Sequence, residues 1–190
     1  ANNDDEASRL LDMAMAINST AELDGDKVVG NPTEGALLLW LKDQGHDYQA
    51  LRSSCTVVNQ IPFSTEKKFM ATVATVNGKT LTFVKGAPEI LINMCECDTL
   101  TRETYEKKLL SYQRQAMRTL AFVYGEGDLT QSLLDGQASG LSLQGICAIC
   151  DPVRDDVPKA VEECRTAGIR VKIVTGDTTA TALEIARQIG

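Results

Sequence analysis

The sequence predicts an α+β chain. An antiparallel β-sheet flanked by helices should occupy residues 1–140, followed by a partial parallel β-α-β-α segment over 141–190. Three observations carry this. Short apolar and alternating runs crowd residues 55–85 and enclose Asn77-Gly78, a strong two-residue hairpin signal. Stretches of helical apolar spacing flank them on both sides. After Leu141, apolar strand-like runs alternate with helical ones at the spacing of crossover units.

Leu10, Leu11, Ala14 and Ile17 form a helical stripe, so about 5–17 is expected to be helix, and the Asn-, Asp- and Gly-rich residues 18–30 a loop. Asn31-Pro32-Thr33-Glu34 marks the next helix start: Asn31 can cap, Pro32 suits the first turn and Glu34 stands at the reciprocal capping position. That helix should run through Leu37 and Trp40 to Gly45. Strands are expected near 55–62, 69–76 and 80–85, and Gly86-Ala87-Pro88-Glu89 should open a helix to about Cys95, with Pro88 early in it. Helix over 101–116, strand over 119–124 and a short helix around 129–134 follow. Beyond them come a buried strand at Leu141–Cys150, helix at Asp155–Ala167, buried strand at Val171–Val174 and helix at Thr178–Ile189. Two parallel strands make a poor domain alone, so the chain reads as a segment of something larger.

Composition excludes several function classes. Of 190 residues, 19 are Lys or Arg and 26 Asp or Glu, a net charge of −7 that argues against gripping nucleic acid over a broad face. Hydrophobic residues at 43% are too many for a disordered acidic tail, and no apolar run approaches the roughly 18 residues a membrane span needs. The polar start, Ala1 to Glu6, is unlike a signal peptide. The six cysteines include Cys95-Glu96-Cys97 and Cys147-Ala148-Ile149-Cys150, but a zinc ribbon needs a second C-x-x-C at suitable spacing, and the chain has a single His. Cys147 and Cys150 fall in a strand-like run, where residues three apart point to opposite faces, so buried free thiols are expected.

Most motifs have plain readings when taken singly. Gly78-Lys79-Thr80 lacks the earlier glycine of a phosphate loop, Val73 standing there, and belongs to a turn. Asn18-Ser19-Thr20 fits a glycosylation sequon without a secretory context. His46, after a helix end, reads as a solvated cap residue. Thr175-Gly176-Asp177 lies between strand and helix, where an open α/β sheet binds ligands, though alone it reads as a helix cap. Alone, Lys85 reads as a solvated lysine and Phe63 as core.

Their order changes the reading. Thr33-Glu34, Pro62-Phe63-Ser64 with Lys68, Lys85-Gly86-Ala87-Pro88-Glu89, Arg118-x-Leu120, Asp151-Pro152-x-Arg154 and Thr175-Gly176-Asp177 occur in that sequence. The series closely resembles the nucleotide-binding domain of P-type cation-transporting ATPases, followed by the start of their haloacid-dehalogenase-like phosphorylation domain. His46-Asp47-Tyr48-x-x-x-Arg52 and the surroundings of Phe63 look most like calcium pumps of the plasma-membrane type and their bacterial relatives.

The resemblance implies a site. Phe63 would stack on adenine, Glu34 would accept from the adenine amino group, and Lys85 would line the inner end of the pocket. Lys68 would reach the phosphates, Arg118 would hold them with its fork, and Leu120 would close the ribose side. Arg154 would touch the phosphate side, Thr175 would hold the phosphoryl group, and Asp177 would lie beside it. Lys67, Lys68, Lys79 and Lys85 on or beside the hairpin would offset the net negative charge locally, since screening confines surface charges to roughly 8–10 Å. Thr65 departs from the pattern, because many calcium pumps carry a basic residue there. ATP with Mg2+ would be the ligand. The partners would be the phosphorylation, actuator and transmembrane domains of the same membrane pump, with this segment on the cytoplasmic side.

The acceptor string D-K-T-G-T and the magnesium string T-G-D-G-x-N-D do not occur in this sequence, so the chain alone should hydrolyse essentially nothing. Without the central strand of the phosphorylation domain, 141–190 should be disordered, packed non-natively or paired with another copy. A haloacid-dehalogenase-type phosphatase and a non-catalytic interaction module are the competing readings. The first lacks its D-x-D/T strand, and the second leaves Glu34, Phe63, Lys85 and Arg118 without a shared purpose.

Overall fold

The computed structural model describes residues 3–150, 153–175 and 179–190. It divides into two compact units, one made of residues up to Arg102 with Leu120–Cys147, the other of Glu103–Thr119 with Ala148–Gly190.

The first unit begins with α1 (Asn3–Ile17). Residues 18–30, expected to be loop throughout, contain a small antiparallel hairpin of β1 (Glu22–Asp24) and β2 (Lys27–Val29) turning at Gly25-Asp26. Three-residue strands are too short to show alternation in sequence. Next, α2 (Pro32–Asp43) starts as its residues dictate. Asn31 Oδ1 accepts from the N–H groups of Thr33 at 2.9 Å and Glu34 at 3.2 Å, and Pro32 occupies the first turn, where no N–H is needed. A short α3 (Tyr48–Ser53), capped by Asp47, follows without having been expected.

Then comes the sheet: β3 (Thr56–Ile61), β4 (Phe69–Val76), β5 (Lys79–Gly86), β6 (Arg118–Glu126) and β7 (Ser142–Ile149), in that spatial order, with the three pairings from β3 to β6 antiparallel. The β4–β5 turn is Asn77-Gly78 with both residues at positive φ, 49° and 78°, which matches the right-handed twist of the strands it joins. Three helices, α4 (Pro88–Met94), α5 (Thr99–Arg114) and α6 (Thr130–Leu134), lie between β5 and β7 in sequence.

Alternation divides the sheet into two faces. One carries Phe69, Ala71, Val84, Ala121 and Val123, packed in a core with Leu91, Leu133 and Leu141. The other carries Met70, Thr72, Phe83, Lys85 and Phe122, all buried, under the end of α1. A lysine on this second face is the anomaly from which the site is built.

The second unit holds α7 (Asp156–Thr166) packed on α8 (Thr179–Ile189). Here the structure departs from expectation. The Leu141–Cys150 run does form a strand, but β7 hydrogen-bonds beside β6 in the five-stranded sheet instead of opening a parallel β-α-β unit. Val171–Val174 forms no strand, and Ile169, Val171, Ile173 and Val174 are exposed, Val174 at 95%. A strand needs a hydrogen-bonding neighbour. The edge of β6 supplies one for β7, and no described residue supplies one for 171–174. The cysteines are free thiols. Cys95 is buried, but Cys150, expected inside, is exposed past the end of β7.

At Gly86 the backbone leading into β4 leaves no room for a side chain on β5. A Cβ there would stand 2.4 Å from Lys68 O and 2.7 Å from Phe69 Cα, both backbone atoms that cannot swing aside. Gly86→Ala is therefore expected to cost about 1–3 kcal/mol in urea unfolding, and an unchanged midpoint and slope would show that the strand ends separate freely.

Candidate functional site

The site is organised around one buried ion pair. Lys85 Nζ lies 2.5 Å from Glu34 Oε1, with Lys85 5% and Glu34 9% exposed. The cap at Asn31 places Glu34 in the first turn of α2, where the helix dipole favours a carboxylate. The side chain does not return to the capping residue as the reciprocal-box reading expects. It turns instead to the segment after α1. Its Oε2 accepts from Thr20 N at 2.7 Å, Thr20 Oγ1 at 2.8 Å, Ala21 N at 3.2 Å and Ser19 Oγ at 3.3 Å. Lys85 Nζ also donates to Asn18 O at 2.6 Å.

Burial acts to raise the Glu34 pKa, but the Lys85 ammonium and the Thr20 hydrogen bonds outweigh it and hold the carboxyl below its ordinary value. Burial lowers Lys85, and Glu34 opposes this without overcoming it. Asn18 itself is wholly buried. Its amide donates to Met70 O at 3.2 Å and Phe83 O at 3.4 Å, and its Oδ1 accepts from Thr72 Oγ1 at 3.0 Å. Arg52 donates to Ala16 O at 2.7 Å, Ala21 O at 2.8 Å and Ser19 O at 3.4 Å, while lying over the Tyr48 ring.

Against this geometry, the sequence pattern of "P-type ATPase, cytoplasmic domain N" matches residues 6–156. The chain belongs to the P-type ATPases. It is 31% identical to Calcium-transporting ATPase 1 of Lactococcus lactis, over 95% of this chain and 22% of that protein. It is 37% identical to Probable calcium-transporting ATPase 9, plasma membrane-type, of Oryza sativa, over 91% of this chain and 18% of that protein. Against Cation-transporting ATPase pma1 of Synechocystis the identity is 34%, over 95% of this chain and 21% of that protein. The chain thus spans about a fifth of the length of these relatives. No helix among the described residues is long and apolar enough to cross a membrane.

Within this P-type ATPase domain, the expected site residues divide. Glu34 and Lys85 meet directly. Phe63 is 61% exposed on the loop after β3, an unusual place for a phenylalanine that only packs. That loop is tied to the end of β5: Lys68 N donates to Ser64 O at 2.8 Å and Ala87 N to Lys68 O at 2.9 Å. Lys68 is exposed, at φ 57°. Leu120 is half-buried on β6, two residues from Phe122, and by alternation shares its face. Lys79 stands six residues from Lys85 at the other end of β5, about 20 Å away at ~3.3 Å per residue, so the lysines do not form one cluster.

In the second unit, Arg118 is exposed at the start of β6. Arg154 makes a two-pronged exposed pair with Asp156, at 3.1 and 2.8 Å. Thr175 is exposed. Asp151, Pro152, Gly176 and Asp177 lie outside the described residues. His46 is not simply a solvated cap, since its Nδ1 lies 2.7 Å from Oδ2 of the buried Asp12.

Sequence reasoning missed Asn18, Thr20 and Arg52 as parts of this network. The signal available was a polar triplet directly after an apolar helical stripe, where chain reversal leaves backbone groups that need partners.

Glu34 also gives the fold a pH dependence. Its folded-state pKa is lowered from 4.5, so its contribution is fully present above that value and is lost as pH falls through the folded one. The stability gap between wild type and Glu34→Gln, measured by urea unfolding at stepped pH, should therefore shrink as pH drops below 4.5. A gap constant from pH 7 to pH 3 would contradict the ionised pair.

Proposed function

We propose that this chain binds ATP as the nucleotide-binding domain of a pump that couples ATP hydrolysis, through an aspartyl-phosphate, to Ca2+ transport. The observation that carries the reading is the buried Glu34–Lys85 pair beside a loop that holds Phe63 out in solvent. Burying two charges costs several kcal/mol per ion before their attraction is counted, so the pair is a poor device for stability alone. It leaves ligand-binding capacity. An ammonium has three N–H groups and Lys85 uses two, and Glu34 Oε1 receives one donor.

In this reading adenine stacks on Phe63, and its amino group donates to Glu34 Oε1. Lys85 closes the inner end, and Leu120 lies against the ribose. Lys68 and Arg118 meet the phosphates, and Mg2+ arrives with the nucleotide. Residues 1–140 form the nucleotide-binding domain, and 141–190 begin the phosphorylation domain, where Arg154, Thr175 and Asp177 face the transferred phosphoryl group. The remaining domains of the pump are the partners, and this segment works on the cytoplasmic side of the membrane. Calcium as the ion is supported by the names of the Lactococcus lactis and Oryza sativa relatives given above.

The test is calorimetric titration of this chain with ATP-Mg2+, wild type beside Phe63→Ala and Lys85→Ala. Saturable binding is expected, weakened by about 1–3 kcal/mol on loss of the Phe63 ring, with a further loss for Lys85→Ala. ATP turnover by the chain alone should be indistinguishable from buffer. A folded wild type that ignores millimolar ATP would overturn the reading.

A further inference from the structure

Lys85 can serve a ligand only if its ammonium is held still. A four-carbon side chain has many rotamers, and its Glu34 partner fixes one N–H. The second is fixed by Asn18 O, and Asn18 is itself fixed from every direction. Its N–H completes α1 by donating to Ala14 O at 3.1 Å. Its side-chain amide spans β4 and β5 through Met70 O and Phe83 O, the latter two residues from Lys85 on the same strand. Its Oδ1 takes the Thr72 hydroxyl, which in turn accepts from Gln60 Nε2 at 3.1 Å on β3. An asparagine carries two donors and an acceptor on its side chain, and here all are engaged at 0% exposure. The position reads as a glycosylation sequon, yet no such modification reaches a side chain with this burial.

We infer that Asn18 is a positioning residue for the Lys85 ammonium. With its side chain anchored on the β4–β5 backbone, its carbonyl holds one Lys85 N–H while Glu34 holds another, and the third is left for the nucleotide. The inference rests on the ATP reading above for the ligand, but not for the Asn18–Lys85 geometry. It follows that Asn18 acts on nucleotide only through Lys85, although the two are 67 positions apart in sequence.

A double-mutant cycle separates this from a merely structural role. Asn18→Ala should weaken ATP-Mg2+ binding about tenfold, the scale of one charge-assisted hydrogen bond, and should change it less than twofold in a Lys85→Met background. The second readout needs no nucleotide. The Lys85 side-chain ammonium, assigned by its disappearance in Lys85→Met, should give a resolved NMR signal that broadens or shifts in Asn18→Ala, while the backbone amide spectrum elsewhere is kept. Should Asn18→Ala fail to fold, Thr72→Val removes the donor to Oδ1, together with the acceptor for Gln60 Nε2, and should perturb the same signal in the same sense. Equal loss of ATP binding in both backgrounds, or an unmoved ammonium signal in a folded variant, would overturn the inference. A wild type that binds no ATP but shows the Asn18-dependent ammonium signal would sink the nucleotide reading and leave the positioning role standing.

Discussion

Two opposite charges have been taken out of water on one face of a β-sheet, and the rest of the unit is arranged around making that tolerable. An isolated buried carboxylate or ammonium is far too costly to persist, and even as a pair each needs further hydrogen bonds. The chain meets this requirement with backbone. Residues 18–21 turn so that the N–H groups of Thr20 and Ala21 face the Glu34 carboxylate while Asn18 O faces Lys85. The carbonyls of Ala16, Ser19 and Ala21 are collected by Arg52. The segment is thus held by an anion on its amide side and by cations on its carbonyl side. It could not be regular helix or strand and still serve both.

This constraint explains how the elements converge. The end of α1, the start of α2, α3 and the end of β5 each contribute one component: the reversing segment, the carboxylate, the guanidinium and the ammonium. Gly86 follows Lys85 immediately and allows the Lys68 backbone to close on β5, so the loop bearing Phe63 is anchored where the buried pair ends. The charged interior and the exposed aromatic are therefore linked along the chain by the five residues 64 to 68, whose ends are tied by backbone hydrogen bonds.

Local physics was legible in the sequence, and tertiary choices were not. The Asn31-Pro32 helix start, the Asn77-Gly78 turn and the β4 and β5 runs depend on backbone preferences within a few residues, and the structure displays them as expected. The direction of Glu34 does not. At the third helical position it suits a capping box, but a buried ammonium from a strand 51 positions away competes more strongly than one exposed N–H. Asn18 was hidden by a sequon, Arg52 by its distance from the carbonyls it serves, and His46 by having its partner Asp12 far back in the chain on α1. Each of these side chains finds its partner only through the fold.

The C-terminal stretch shows the converse, local signals that lack a tertiary answer. Val171 to Val174 has the composition of a buried strand, yet its side chains are exposed because no described residue offers a ladder. The preceding apolar run found the edge of β6, and the fit has a cost: both amide atoms of Gln144 on β7 are buried with no hydrogen-bond partner among the described residues, on the order of 1–3 kcal/mol per group. A strand whose buried polar residue finds its partner elsewhere in the fold, as Thr72 and Lys85 on β4 and β5 do in Asn18, is specified there by more than hydrophobicity. β7 lacks that second level of agreement. Its apolar pattern would suit any free edge, whereas the Glu34–Lys85–Asn18 network accepts only one arrangement of the strands that carry it.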